Sequence, residues 1–215
     1  MKKSNIIISD ITNMKEKFCI AGWDTYERKM KRLLINRGYW DADQVPEYSS
    51  IMVNTEPLKE PHDYPHRSED INIDFDSIEV VEAFQPGKKL AETLKESVSK
   101  DIQSIFNHKV KENSYVSKNT KCASLGAILI PANQIEFHIE NGKLRVKVTD
   151  YSKQEFNLKV SCKYVRDIFE KTKSVDLLNK AIAESQFAHL RIGLARPFLM
   201  QENHCYLMLN GIFLY

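Results

Sequence analysis

With 215 residues, 42% of them apolar and 28% charged, and a formal net charge of +2, the chain carries enough apolar material for a packed core, which excludes disorder as its main content. Near-neutrality excludes bulk attraction to a polyanion, so any such affinity must come from uneven charge. The charge is uneven: Lys15 to Arg37 holds seven bases against three acids, Lys143 to Lys173 nine against four, and the intervening Glu56 to Glu82 two bases against nine acids.

In chain order, Ile6 to Ile8 and Phe18 to Trp23 read as strands joined by a polar loop from Ser9 to Lys17, and Met30 to Ile35 as a third strand after a turn at Asp24 to Glu27. Pro46, Pro57, Pro61 and Pro65 in the stretch from Gly38 to Ser68 argue against a central strand or regular helix, leaving an ordered surface excursion. Ile71, Ile73 and Phe75 then alternate with Asn72, Asp74 and Asp76 as a strand would. Pro86-Gly87 opens a helix in which Leu90, Leu94, Val98, Ile102, Ile105 and Phe106 recur on one stripe. Four strands follow over Ser124 to Pro131, Ile135 to Glu140, Lys143 to Asp150 and Glu155 to Val160, with a hairpin at Asn141-Gly142. Ser161 to Lys171 and Asp176 to Ser185 read as helices, the second with Ser174 as its cap.

Two extended runs close the chain. Leu190, Ile192 and Leu194 alternate with Arg191, Gly193 and Ala195, which places Arg191 on the exposed side, and Cys205 to Tyr215 reads as a buried strand. The predicted class is a β-rich α+β fold, and small five-stranded barrels of the oligonucleotide-binding (OB) type fit the strand count. The expected division is a first barrel over 1–85, a helical connector over 86–121 and a second barrel over 122–215.

Cys19, Cys122, Cys162 and Cys205 lie far apart with no Cys-x-x-Cys spacing, so free, buried thiols are expected. The apolar run after Met1-Lys-Lys-Ser-Asn is interrupted at Asp10, short of the roughly 7–15 residues of a signal peptide. No stretch approaches a membrane span, and a cytoplasmic location is expected.

Several short motifs resemble one family. Ile6-Ile-Ile-Ser, Phe18-Cys-Ile-Ala-Gly-Trp-Asp24, Met30-Lys-Arg-Leu-Leu34, Pro61-His-Asp-Tyr-Pro-His66 with Glu69-Asp70, Arg191-Ile-Gly-Leu-Ala-Arg-Pro-Phe198 and Cys205-Tyr-Leu to Asn210-Gly-Ile-Phe213 look like the dual OB-containing domain. The resemblance spans nearly the whole chain. It implies two tandem OB-like barrels with helical insertions and a role linked to nucleic acid, in bacterial defence or mobile-element settings.

OB barrels hold single strands in a cationic groove with aromatic platforms. Trp23, Tyr26, Tyr39 and Trp40 interleave with Arg28, Lys29, Lys31, Arg32 and Arg37 in that manner, although core positions for Trp23 and Trp40 beside solvated bases are the competing reading. Lys143, Arg145 and Lys147 share one strand face and form the cleanest cationic stripe, against the plain alternative of a solvated surface. Arg191 and Arg196 are suited to clamping phosphate or carboxylate, or to bonding backbone carbonyls. His62 and His66 with Asp63, Glu69 and Asp70 invite a metal reading but lack a third well-spaced ligand, so no metal or cofactor is expected.

No nucleophile elbow, cysteine signature or phosphate loop is present. Asp74, Asp76 and Glu79, or Glu136 with Glu140 and Lys143, could be arranged into a metal-dependent nuclease, but carboxylates in turns and on strand faces are common, so no catalysis is expected. The expected function is a non-catalytic module binding single-stranded DNA or RNA, without a membrane partner. The alternative is an adaptor that docks an effector, or a second copy, through the acidic loop and the apolar final strand.

Overall fold

The first 35 residues form a meander of β1 (Lys2–Met14), β2 (Lys17–Asp24) and β3 (Lys29–Ile35), with β1 buried on both faces from Ile6 to Thr12. The computed structural model describes residues 1–58, 68–197 and 203–215. The expected loop from Ser9 to Lys17 is absent. β1 continues through a bulge between Ile8 and Asp10, and the turn to β2 needs only Lys15, with φ 57°, and Glu16. Ser9, Asp10 and Thr12 look like loop residues but are buried, because the second half of the chain lies on them.

The proline-rich stretch also differs from expectation. β4 (Ser49–Pro57) is a central strand, antiparallel to β1 on one edge and to β5 (Asp70–Ile73) and β6 (Glu79–Ala83) on the other. Pro46 precedes it and Pro57 is its last residue, so the strand interior keeps every N–H donor. Pairing runs β1-β2-β3-β5-β4 and returns to β1, with β3 and β5 parallel.

The single helix expected over Gly87 to Phe106 is broken into α1 (Lys88–Thr93), a 3-10 turn at Lys95–Ser97, β7 (Val98–Ser99) and α2 (Ile102–Ile105). The Asp101 carboxylate accepts the Ser104 backbone N–H at 2.7 Å and starts the second helix afresh. Its apolar stripe serves two cores: Leu90 and Leu94 join the cluster of the first sheet, whereas Ile102, Ile105 and Phe106 join that of the second.

After β8 (Tyr115–Ser117), the second sheet uses β9 (Leu125–Pro131), β10 (Ile135–Glu140), β11 (Lys143–Thr149), β12 (Glu155–Val160), β13 (Phe187–Leu194) and β14 (His204–Leu214). Helices α3 (Lys163–Thr172) and α4 (Asp176–Ala183) lie between β12 and β13. The order is β10-β11-β12-β14-β13-β9-β7, with β12 and β14 parallel. The β10 and β9 ends of this circuit are consecutive in the chain, separated only by the 3-10 turn Ala132–Gln134. Asn141 and Gly142 take φ 51° and 71° in the β10–β11 turn, as a two-residue hairpin requires.

The two sheets are locked by buried polar contacts. Arg191 is 0% exposed, not on a solvated face: its Nε donates to Asp10 Oδ2 of β1 at 3.1 Å and its Nη1 to Ser97 Oγ at 2.8 Å. β13 is covered on both faces, so its period-two pattern separates two interiors rather than inside from outside. Where β14 crosses β1, Gly211 allows the approach; a Cβ there would sit 2.9 Å from the Ser9 carbonyl oxygen. β14 is not an apolar surface for docking, because β12, β13 and β8 all pair with it.

Candidate nucleic-acid interface

In the first half, folding consumes most of the expected site. Trp40 is fully buried, and its Nε1 donates to the Leu33 carbonyl at 2.7 Å. Arg32, 2% exposed, pairs with Asp70 and donates to Ser124 Oγ at 2.9 Å. Neither is available to a ligand. Trp40 packs into the first core, edge-on to Phe75 with centroids 5.7 Å apart, and Arg32 closes a contact between segments distant in the chain. Glu69 completes the second of these contacts by accepting the Ser124 N–H at 2.6 Å, and burial raises its carboxyl pKa.

Lys31 pairs with Glu27 at 2.6 Å, and its hydrogen bond, with that of Lys2, holds the Glu27 carboxyl down to about 2. Arg28 pairs with Glu96 at 3.2 Å. Trp23 is half-buried against the first core, leaving Lys29 and Arg37 as exposed bases without an ion pair among the described residues. The interleaved residues of the first half therefore do not converge. His62, Asp63 and His66 lie outside the described residues.

The second half does concentrate charge. Register places Arg145 of β11 opposite Lys159 of β12, and Lys159 opposite Met208 of β14. Lys143, Arg145 and Lys159 thus share an outer face, to which α3 adds Arg166 and the segment after β13 adds Arg196. These five bases line one concavity of about 780 Å³, with Glu170 as the only carboxylate in its wall among the described residues. Glu170 is engaged by Arg166 at 3.0 Å. Arg196 is exposed and lies 5.0 Å from the Tyr39 ring, so the first half supplies an aromatic support at the rim.

Burial lowers the Lys159 pKa, and the charges of Arg166, Arg145 and Lys143 lower it further. Such a group is held among like charges that an anion would offset. Lys147 is exposed on the same strand but does not line the concavity. Lys159 and Arg166 are absent from the sequence-derived set. Alternation of Asn157 and Lys159 on the neighbouring strand was the available signal for the first; Arg166 needed the placement of α3.

A family model described as the dual OB-containing domain matches residues 4–212. The chain belongs to this family. No curated protein matches it. Among solved structures, the chain is similar to the Ifi202 HINa domain in complex with 20-bp dsDNA, at 10% identity and TM-score 0.39, covering 100% of this chain and 95% of that one. A second, described as the molecular basis for abrogation of activation of pro-inflammatory cytokines, gives 13% identity and TM-score 0.36, covering 100% and 92%. Scores this low do not establish a shared fold.

Among the described residues, no three His, Cys, Asp or Glu side chains are grouped to hold a metal, and no helix is long and apolar enough to cross a membrane. Among the described residues the four cysteines form no disulfide; three are buried and Cys19 is half-buried.

Proposed function

We propose that this dual OB-family chain is a non-catalytic module that binds single-stranded nucleic acid through the cationic concavity of its second half, each strand circuit serving as an OB-like barrel. The convergence of Lys143, Arg145, Lys159, Arg166 and Arg196 on one concavity carries the reading. Five cations around a single hollow suit consecutive phosphates of a flexible strand, which can enter a recess that a duplex would only touch at its rim. A bacterial defence or mobile-element setting belongs to the same proposal.

The test is fluorescence anisotropy with labelled single-stranded and duplex DNA and RNA at low and near-physiological salt. Single strands should bind more tightly than duplexes, with log affinity falling linearly in log salt as counterions are released. Combined Lys143→Glu, Arg145→Glu and Lys159→Glu should abolish binding and flatten the salt slope, whereas Lys147→Glu should change affinity less than threefold. Failure of every nucleic acid to bind at low salt would overturn the reading.

One observation favours a docking role as the second reading: β6, an edge strand among the described residues, leaves Val80 and Val81 exposed. An unpaired strand edge can accept a further strand from a partner protein. That reading predicts association insensitive to salt and lost when Val81 is replaced by Pro.

A further inference from the structure

Beside the cationic concavity lies a second hollow of about 370 Å³, lined by Glu112, Asn113, Glu140, Glu155 and Asn157. Arg145 and Tyr206 line both hollows and are shared between them. The two are electrostatic opposites. Five bases attract phosphate on one side, while three carboxylates repel it on the other. Beside the amides of Asn113 and Asn157, what the second hollow offers is hydrogen-bond acceptance, because an ionised carboxylate has no donor of its own; Glu140 accepts from Asn157 Nδ2 at 3.3 and 3.4 Å, a contact that an incoming amino group would share or replace. A neutral heterocycle with an exocyclic amino group satisfies such a wall, and a carboxylate accepting from the cytosine N4 amino group is an established form of base readout.

The shared residues suit a ligand that spans both hollows. The Tyr206 ring is held in place: its hydroxyl lies 3.3 Å from His204 Nδ1, and Tyr115 stacks on His204 with centroids 3.7 Å apart. A ring ordered beforehand loses little freedom when a base stacks on it. Arg145 Nε is buried without a hydrogen bond among the described residues, although it lies 3.4 Å from Glu140 Oε2. Its guanidinium can therefore serve a phosphate while its charge is shared with Glu140.

We infer, resting on the nucleic-acid reading above, that one nucleotide of a bound strand straddles these residues, with its phosphate in the cationic concavity and its base against Tyr206, presenting an amino edge to Glu140 and Glu155. The ligand class is an unpaired strand containing cytosine or adenine. Pairing takes one of the two amino protons and duplex stacking covers the base face that would lie on Tyr206, so a duplex is a poor occupant. Cytosine against uracil is the decisive comparison, since the rings match in size and the backbone charge is equal.

The experiment measures the full-length chain against labelled 12-mers of oligo(rC), oligo(rU) and an abasic backbone at pH 7.5. Oligo(rC) should bind about tenfold more tightly than oligo(rU). Oligo(rU) should in turn exceed the abasic strand by roughly fivefold or more through stacking. Glu140→Gln with Glu155→Gln should bring the cytosine-to-uracil ratio towards one without weakening oligo(rU). Tyr206→Leu should reduce oligo(rU) to the abasic level, and Tyr206→Phe should retain it.

Equal affinity for oligo(rC) and oligo(rU), or tighter binding of oligo(rU), overturns the inference. Equal affinity for oligo(rU) and the abasic strand overturns the stacking contact, hence the inference as stated. In each of these cases a salt-dependent interaction abolished by the triple charge reversal leaves the proposed function standing. Absence of binding by all three strands overturns that function and this inference together. Should a variant fail to melt cooperatively, the three wild-type affinities decide the matter on their own.

Discussion

The two halves run the same circuit of strands, each with a parallel pairing at the corresponding place, β3 with β5 and β12 with β14, to which the second half adds the short parallel pair β7 with β9, yet they spend their bases differently. In the first, Arg32, Lys31 and Arg28 are taken up by Asp70, Glu27 and Glu96. In the second, Lys143, Lys159 and Arg196 face one hollow with no ion-pair partner among the described residues. Local net charge is thus a poor guide to a binding surface. What separates the halves is convergence on one hollow, since Arg145 and Arg166 of the second half also meet carboxylates, Glu140 and Glu170, while Lys29 and Arg37 of the first meet none among the described residues.

The strand that opens each circuit differs as well. β1 is continuous and turns through a bulge to serve both β2 and β4, whereas its counterpart is divided by the turn at Ala132–Gln134 into β9, which pairs with β13, and β10, which pairs with β11. The undivided strand brings Asp10 to the junction, where it meets Arg191. The junction belongs to neither half alone.

The largest expected effect comes from breaking that junction. Arg191→Met strands Asp10 in a buried site and should destabilise the chain by about 3–5 kcal/mol in urea unfolding. Adding Asp10→Leu to it should recover part of the loss, since neither charge is then left alone. A double variant less stable than Arg191→Met would show that the pair does not act as a unit.

Next comes His189, buried beside Phe213 at a ring distance of 5.8 Å. Burial, and then the Arg191 charge, push its pKa down to about 3. The unfolded chain therefore binds the proton more readily. Stability is fully present above about pH 6.5 and should fall by up to about 1.4 kcal/mol per unit as pH drops towards 3. His189→Phe should flatten this part of the pH profile; an unchanged slope would assign it to other groups.

Gly142→Ala tests the second half alone. The position has φ 71° and open space around it, so the cost is conformational and should be about 1 kcal/mol, read from the thermal midpoint. The smallest effect sharpens the contrast in charge use. Lys29→Glu with Arg37→Glu in the first half should alter oligonucleotide affinity by less than about threefold through long-range electrostatics. A loss matching that of the Lys143, Arg145 and Lys159 reversal would return the first half to the binding surface.

Much was legible from residues alone. Period-two alternation in Lys143 to Val160, the Asn141-Gly142 turn, both helices after Ser161 and the apolar run to Leu214 are local signals, and each became the expected element. The motifs pointing to the dual OB-containing domain are short stretches of the same kind. Ser49–Pro57 was obscured by prolines that stand at its borders rather than inside it. In the stripe of Leu90 to Phe106, every residue except Val98 enters a core, but not as one helix, since its two ends are drawn to different cores.

Tertiary packing decided the fate of the polar groups. Ser9, Asp10, Arg32 and Arg191 have the character of loop or surface residues, and nothing near them in the chain announces their partners. Asp10 and Arg191 are 181 positions apart, yet their charges can be buried because each meets the other with hydrogen bonds in place. The cationic concavity arose in the same way, from register between β11 and β12 and the position of α3. Pattern along a chain reports which face of a strand is apolar; only the assembled sheets determine whether the opposite face meets water, a counter-charge or a ligand.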